Sequence, residues 1–133
     1  MRAFHLQIVT LDGSVFDGEV ESLLVHTDDG DVEILAGHAD LLASLDAGRV
    51  RLRIAGSDRF ASASGGFLSV DKDGARLVTI TFEFAEDIDL ERARRAKERA
   101  EEALLRASTE RDITLAKAKL QRALSRINIA EYK

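Results

Sequence analysis

The chain has 133 residues, of which 45% are hydrophobic and 32% charged, enough to bury one core, and it contains no cysteine for disulfide or thiolate chemistry. Its formal net charge of −5 and its few aromatic residues argue against nucleic-acid binding. No apolar run reaches the roughly 18–20 residues that span a bilayer, so we expect no direct membrane insertion.

Short strands separated by turns are indicated throughout residues 1–86. All nine glycines lie between Gly13 and Gly74. Apolar and polar residues alternate, as in strands with one buried face, at Phe4–Ile8, Val32–Ile34, Val50–Ile54 and Val78–Phe84. Many short strands at this spacing predict an antiparallel β-sandwich or flattened barrel.

Two of these runs predict particular core residues. We expect the apolar members of each run to face the core: Val50, Leu52 and Ile54 in one, and Val78, Ile80, Phe82 and Phe84 in the other, which we interpret as a single strand.

Residues 87–133 have no glycine or proline and predict two helices. Alanines recur at helical spacing from Ala93 to Ala107, and a second periodic run follows from Ile113 to Ile127. Ser108 and Thr109 interrupt the pattern, and we expect Asp112 to cap the second helix. The whole is predicted to be an antiparallel helical hairpin, held weakly because an alanine seam buries little area.

Charge is divided unevenly between the two regions. Residues 87–133 carry a net charge of +3 and residues 1–86 a net charge of −8. A basic hairpin beside an acidic body either meets acidic partners or phosphates, or is simply a solvated helical surface.

No constellation for catalysis or metal binding is evident. His5, His26 and His38 are far apart in sequence and lack metal-ligand spacing. The Ser64–Gly66 segment lacks the lysine and spacing of a phosphate-binding loop, and the acidic segment Asp28–Asp31 lacks the spacing of a calcium loop. We therefore expect no catalytic residues, no metal site and no required cofactor.

Arginines on the two predicted helices share faces. Arg92 and Arg99 are seven residues apart on the first helix, and Arg122 and Arg126 are four apart on the second. In a folded hairpin these guanidinium groups can converge on one polyanion, and arginine suits phosphate oxygens. The alternative is that they are surface arginines paired with neighbouring glutamates.

Over its whole length the chain resembles the epsilon subunit of bacterial F-type ATP synthases. The resemblance rests on the start Phe4–Thr10, on Gly30–Leu42 with its central Gly37-His38, on Ser64–Leu68, and on Ile88–Ala93, which matches the pattern Ile/Leu-Asp-x-x-Arg-Ala. Three departures fall near the segment that such subunits turn toward the rotor ring: Ala36 and Asp40 stand where proline is usual, and Glu33 where glycine is usual.

The resemblance implies an α+β fold with a β-sandwich in residues 1–86 and a regulatory helical hairpin in residues 87–133. It implies a non-catalytic central-stalk subunit that couples proton or sodium translocation to ATP synthesis and restrains ATP hydrolysis through a movable hairpin. The implied partners are the gamma subunit, the membrane rotor ring of c subunits and, when the hairpin is extended, the catalytic beta subunit. The implied location is peripheral, on the cytoplasmic face of the bacterial membrane.

The resemblance also implies sites. ATP is the expected regulatory ligand, bound by Glu83, Ile88, Asp89, Arg92, Ala93, Arg99, Arg122 and Arg126. Asp31 and His38 are expected to contact the rotor ring, exposed in one turn at the end of the sandwich away from the hairpin tip. The alternative function is a stand-alone ATP-binding sensor that uses only the arginine cluster.

Overall fold

The computed structural model describes residues 2–131, which form ten strands followed by two helices. The strands are β1 (Phe4–Thr10), β2 (Gly13–Val20), β3 (Ser22–Thr27), β4 (Gly30–Leu35), β5 (Leu41–Ser44), β6 (Gly48–Ile54), β7 (Ser57–Ser64), β8 (Phe67–Asp71), β9 (Gly74–Val78) and β10 (Thr81–Phe84). A 3-10 turn (Ala85–Asp87) joins them to α1 (Leu90–Arg106) and α2 (Glu110–Ala130). The predicted fold class, a β-sandwich followed by a two-helix hairpin, is confirmed.

The strands form two five-stranded sheets. Sheet 1 has the order β2-β1-β9-β8-β5, and sheet 2 has the order β10-β7-β6-β3-β4. Neighbouring strands are antiparallel except β1 and β9, which pair in parallel with Leu6 opposite Ala75. Each strand turns alternate side chains inward, so the core lies between the sheets and contains residues such as Leu23, Leu52, Leu68 and Leu77.

The prediction that the apolar residues of β6 face the core is confirmed. Val50 and Leu52 are buried, and Ile54 is partly buried and packs against the core.

The expectation of one strand from Val78 to Phe84 is wrong. β9 ends at Val78 in sheet 1, and β10 begins at Thr81 in sheet 2, because the chain crosses between the sheets at Thr79 and Ile80. The crossing changes which residues face inward: Leu77 and Thr79 are buried, whereas Ile80 is 60% exposed. Phe84 is buried, Phe82 packs partly buried against the core, and Val78 is half-buried on the outer side.

A tight bend between β7 and β8 requires glycine. Gly66 has φ +95°, a conformation that favours glycine. A Cβ atom at this position would clash with the carbonyl oxygen of Val78. The Ser64–Gly66 segment is therefore shaped by close backbone packing.

Side-chain caps define where the two helices begin. Asp89 caps α1 by accepting a hydrogen bond of 3.1 Å from the backbone N–H of Arg92. Thr109 caps α2 by accepting a 3.1 Å bond from the backbone N–H of Asp112, so the expectation that Asp112 is the cap is wrong. Asp112 instead lies in the first turn, where a carboxylate stabilises the positive end of the helix dipole.

Alanines spaced by seven residues form the seam between the helices. Ala93 and Ala100 of α1 and Ala116 and Ala123 of α2 are all buried. Small side chains let the two axes approach closely, and a seven-residue spacing keeps them on one face. Each alanine removes little apolar area from water, so the seam by itself stabilises the hairpin weakly.

Helix α2 joins the hairpin to the outer face of sheet 2, against β6, β7 and the 3-10 turn. Gln121 donates to the carbonyl of Ala47, and the hydroxyl of Ser125 lies 3.3 Å from that of Ser62. Near its end, Ile129 is buried in a small second core with Ala85 and Ile88. The hairpin is therefore held to the sandwich mainly through one helix.

Leu77→Ala should lower the free energy of unfolding by about 2–5 kcal/mol, because it leaves a cavity in the core between the sheets. Ile80→Ala, three residues away, should change it by less than about 0.5 kcal/mol, because its side chain is largely exposed. Chemical denaturation of both variants measures these values. A larger loss for Ile80→Ala than for Leu77→Ala would contradict the strand crossing at this point.

Candidate functional site: a basic cleft between hairpin and sandwich

A cleft of about 1010 Å³ lies between the helical hairpin and the sandwich. Its sandwich wall comes from β7, β10 and the turn between β1 and β2, and includes Ser62, Ser64 and Phe82. Its hairpin wall comes from both helices, with Ala96, Ala100, Ala103 and Ala123 between longer side chains. The small alanines leave room for a ligand beside the helix backbones.

Cations outnumber carboxylates in this cleft by five to two. α1 contributes Arg92 and Arg99, and α2 contributes Lys119, Arg122 and Arg126. The two carboxylates belong to Asp12 and Glu83 on the sandwich side. The closely packed antiparallel helices thus place an excess of positive charge in one concave site, which favours a polyanion.

One ion pair joins the hairpin to β10 within the cleft. The Nε and Nη2 atoms of Arg126 donate to the two carboxylate oxygens of Glu83 at 2.7 and 3.2 Å. Both side chains are partly buried, at 27% and 31% exposed. A bidentate, partly desolvated pair of this kind is stronger than an exposed one, so it fixes α2 against the sheet.

The other three arginines of the predicted set form no ion pair within residues 2–131. Among residues 2–131, no carboxylate lies within 4 Å of the guanidinium nitrogens of Arg92, Arg99 or Arg122. Glu91 lies nearest to Arg95, at 3.9 Å. The alternative expectation, that the arginines of this face pair with neighbouring glutamates, therefore does not describe these three.

The structure brings five of the eight expected ATP contacts into the cleft: Glu83, Arg92, Arg99, Arg122 and Arg126. It places the other three beside the cleft in structural positions. Ile88 lies in the second core, Asp89 caps α1, and Ala93 is fully buried in the helix seam. Periodicity cannot distinguish a ligand contact from these packing and capping roles.

Lys119 is a cleft residue that the sequence reasoning missed. It lies three residues before Arg122, hence on the same face of α2, and this spacing is the signal that could have identified it. Asp12 and the alanines of the cleft wall were not expected either. Asp12 comes from a turn more than 70 residues away in sequence, so only the tertiary fold brings it to the site.

A second ion pair holds the 3-10 turn that precedes α1. Arg59 on β7 donates from Nε and Nη2 to one carboxylate oxygen of Glu86, at 2.9 and 2.6 Å, and stacks 3.5 Å above the ring of Phe84. A hydrogen bond from its own backbone N–H is the largest cause that holds the pKa of Glu86 below its ordinary value; burial opposes this shift, and the hydrogen bond and positive charge of Arg59 add to it. The 3-10 turn is therefore tied to β7 directly before the hairpin begins.

Asp31 and His38 are both exposed, but they do not share one turn. Asp31 is the second residue of β4, whereas His38 lies three residues beyond its end. At about 3.3 Å per residue, the strand alone separates them by roughly 13 Å. Asp31 lies near the beginning of edge strand β4, bonded to Nδ1 of His26 at 2.9 Å, whereas His38 lies beyond the other end of β4, in a small cleft that Asp71 and Lys72 also line.

Residues 2–131 contain no group of three or more histidine, aspartate or glutamate side chains placed to hold a metal ion. Within the same range, neither helix is long and apolar enough to cross a membrane.

Two family models together match nearly the whole chain. Residues 3–86 match the β-sandwich domain of the ATP synthase delta/epsilon chain, and residues 86–131 match its long α-helix domain. Proteins of similar sequence belong to the same family. The ATP synthase epsilon chain of Bacillus velezensis is 42% identical and that of Halalkalibacterium halodurans is 40% identical, each match covering 98% of both chains.

Solved structures show the same fold at lower identity. A chain in the Euglena gracilis mitochondrial ATP synthase structure containing OSCP, F1 and c-ring has a TM-score of 0.83 at 22% identity, over 98% of this chain and 82% of that one. A chain in the Tetrahymena thermophila mitochondrial central stalk and c-ring structure has a TM-score of 0.67 at 12% identity, over 98% and 96%.

Glu83→Gln and Arg126→Gln should each loosen α2 from the sandwich. Because the pair is charged, bidentate and partly buried, backbone amides around Ile127 and Ile129 should exchange hydrogen about 10-fold faster in either variant. The double variant should exchange little faster than the single ones, because they remove the same interaction. Arg95→Gln, which breaks only an exposed pair with Glu91, is the matched control. Wild-type exchange rates in all variants would mean that this pair does not hold the hairpin.

Proposed function

The chain belongs to the delta/epsilon chain family of ATP synthases, and on this premise we propose that it is a regulatory, non-catalytic subunit of the central stalk. In this role the sandwich couples ion translocation to ATP synthesis that is catalysed by other subunits. The hairpin binds ATP in its compact state and restrains ATP hydrolysis when it extends. The basic cleft is the observation that carries the regulatory part of this proposal.

ATP suits the cleft on chemical grounds. Three arginines that have no carboxylate partner in the described part of the chain, and one lysine, line a cleft of about 1010 Å³. Guanidinium groups bind phosphate oxygens in a bidentate manner. The opposite wall offers Phe82 as an apolar surface and Glu83 as an acceptor for the amine of the base or for a ribose hydroxyl. ATP acts here as a regulatory ligand, and the proposal includes no required cofactor.

The hairpin suits a two-state element. Its seam consists of alanines, and its attachment to the sandwich depends on α2 through a few contacts and one ion pair. A ligand held by both helices and β10 stabilises the compact state by its differential affinity for that state. The ion pair between Arg59 and Glu86 holds the preceding turn, so the hinge of this motion lies after Asp87.

A partner surface lies on the outer face of sheet 1. Phe67, Val78 and Val9 are neighbours across β8, β9 and β1 and point away from the core, and Phe67 is 42% exposed. An apolar row on an exposed sheet face is typical of an interaction surface. We assign this outer face of sheet 1 to binding of the gamma subunit. The surface formed by edge strand β4 and the segment that follows it, with Asp31 and His38, is assigned to the rotor ring. The extended hairpin is assigned to the catalytic beta subunit.

These partners place the chain peripherally, on the cytoplasmic face of the membrane that holds the rotor ring. The alternative is a stand-alone ATP sensor, for which the outer face of sheet 1 would have no role. Co-purification distinguishes the two, because a stalk subunit brings down gamma and a stand-alone sensor does not.

The isolated chain should bind ATP, and Arg92→Ala and Arg126→Ala should each weaken binding by about 10-fold or more, because a charge-assisted contact to the ligand or to the wall of its site is lost. Isothermal titration calorimetry measures the three affinities. Arg94→Ala, which removes an exposed arginine of α1 outside the cleft, should bind as the wild type does. No heat from the wild type at millimolar ATP would refute ATP regulation, and equal affinities in all variants would place the site elsewhere.

Phe67→Glu should weaken association with gamma by about 10-fold or more, because it places a charge on the most exposed residue of the apolar row. The chain should still fold, since Phe67 lies outside the core. Co-purification with gamma measures the effect, and Leu105→Glu at the exposed end of α1 is the control. Undiminished recovery of gamma with Phe67→Glu would exclude this face as the contact.

Asp31→Ala combined with His38→Ala should reduce rotor-ring binding and coupling in a reconstituted enzyme, because both exposed polar groups lie on the assigned surface. ATP-driven proton pumping relative to hydrolysis measures the coupling. Glu102→Ala, an exposed carboxylate of α1 away from this surface, serves as the control. Normal coupling and normal ring binding in the double variant would remove these two residues from the contact.

A further inference from the structure

A small apolar cluster, the second core, lies where the end of α2 meets the proposed hinge. Ala85 belongs to the 3-10 turn before the hinge, Ile88 follows that turn, and Leu90 is the first residue of α1. Phe60 of β7 packs against this cluster from the sheet, and Ile129 from the last turn of α2 is buried in it. The last turn of α2 therefore shares one core with the sheet, the hinge and the start of the hairpin.

Ile129 differs from other large apolar residues of α2. Its side chain is 1% exposed, whereas Leu115 and Leu124 are 50% and 45% exposed. The buried residues that lie in the seam with α1, Ala116 and Ala123, are alanines and bury little area. The apolar attachment of α2 to the rest of the chain is therefore concentrated in its last turn.

The opposite side of the second core is fixed to the sandwich. Arg59 of β7 holds the 3-10 turn through its ion pair with Glu86. The N–H of Ile88 donates to the carbonyl oxygen of Ala85 at 3.3 Å, so rotation of the chain after the turn would break this bond and move Ile88 out of the cluster. Since close-packed interiors do not deform continuously, the hinge cannot turn while the side chain from α2 stays in the cluster.

We propose that Ile129 is a latch for the hinge: the last turn of α2 must leave the second core before α1 can swing away from the sandwich. The inference rests on the proposed movement of the hairpin and extends it, because it gives that movement an order. The hairpin then does not open from α1, although α1 is the helix that the hinge joins directly to the sandwich. An event that withdraws the last turn of α2 from the second core releases the hinge as well.

Hydrogen exchange of the full chain, without nucleotide or partner subunits, tests the latch through the backbone amide of Ile88. This amide lies at the hinge and keeps its hydrogen bond to Ala85 only while the hinge is closed. In the wild type it should be protected at least as well as the amide of Ile129, because the hinge opens only after the last turn of α2 has left.

Ile129→Ala should speed the exchange of the Ile88 amide by about 20-fold or more, because the resulting cavity weakens the second core. Alanine favours a helix more than isoleucine does, so the substitution does not loosen α2 by weakening the helix itself. Ile129→Val, which keeps most of the side-chain volume, should have a smaller effect of about two- to fivefold.

Leu124→Ala is the matched control, because this leucine lies on the same helix, is 45% exposed and is outside the second core. It should change the exchange of the Ile88 amide by less than about twofold. The amide of Leu23, in the core between the sheets, reports unfolding of the sandwich and should exchange at the wild-type rate in every variant.

An unchanged Ile88 amide in Ile129→Ala, or an equal acceleration in Leu124→Ala, would overturn the inference. So would faster exchange at Ile88 than at Ile129 in the wild type, because the hinge would then open with the latch in place. Equal acceleration at Leu23 would show general unfolding of the chain rather than release of a latch, and would overturn it too.

These results are distinguishable from a failure of the proposed function. The exchange experiment uses neither ATP nor gamma, so loss of the latch would leave the proposed ATP binding and stalk role as they are. Conversely, absence of ATP binding in calorimetry would refute ATP regulation and would leave the order of opening to be decided by the exchange rates.

Discussion

The alanine seam between α1 and α2 is the constraint on which the rest of the hairpin depends. Buried alanines at seven-residue spacing bring the helices close enough for Arg92 and Arg99 on one to share a cleft with Arg122 and Arg126 on the other. Larger side chains would hold the helices apart and bury more apolar area. The same residues thus create the basic site and leave the hairpin weakly held, two properties that a ligand-controlled element requires.

The hairpin is held to the sandwich at a few identifiable points. Arg59 and Glu86 fix the turn before α1, and Arg126 and Glu83 fix α2 to β10. In the motion that we propose, the first pair lies before the hinge and does not need to break, whereas the second joins helix α2 to the sheet and must break. Release of the hairpin therefore requires the loss of one partly buried ion pair, a small second core and a few hydrogen bonds.

The surfaces assigned to different partners lie on different sides of the molecule. The hairpin packs on the outer face of sheet 2, and the apolar row with Phe67 lies on the outer face of sheet 1. Asp31 lies on the edge strand β4, and His38 lies in the segment that follows this strand. A β-sandwich has two outer faces and two edges, so binding at one does not sterically exclude the others. This arrangement is compatible with our proposal that the sandwich stays in the stalk while the hairpin changes position.

The sequence by itself determined the fold class, because strand alternation and helical periodicity are local patterns, and it determined that both helices present arginines on one face. It did not determine where Val78–Phe84 crosses between sheets, because an alternating pattern does not indicate which sheet a residue joins. It also could not separate Arg126, which is bonded to Glu83, from Arg122, which has no carboxylate partner among residues 2–131. Nor could it place Asp12 and Lys119 in one cleft. Only the tertiary structure decided these points, since ion pairing and cleft lining depend on distances between residues that are far apart in the chain.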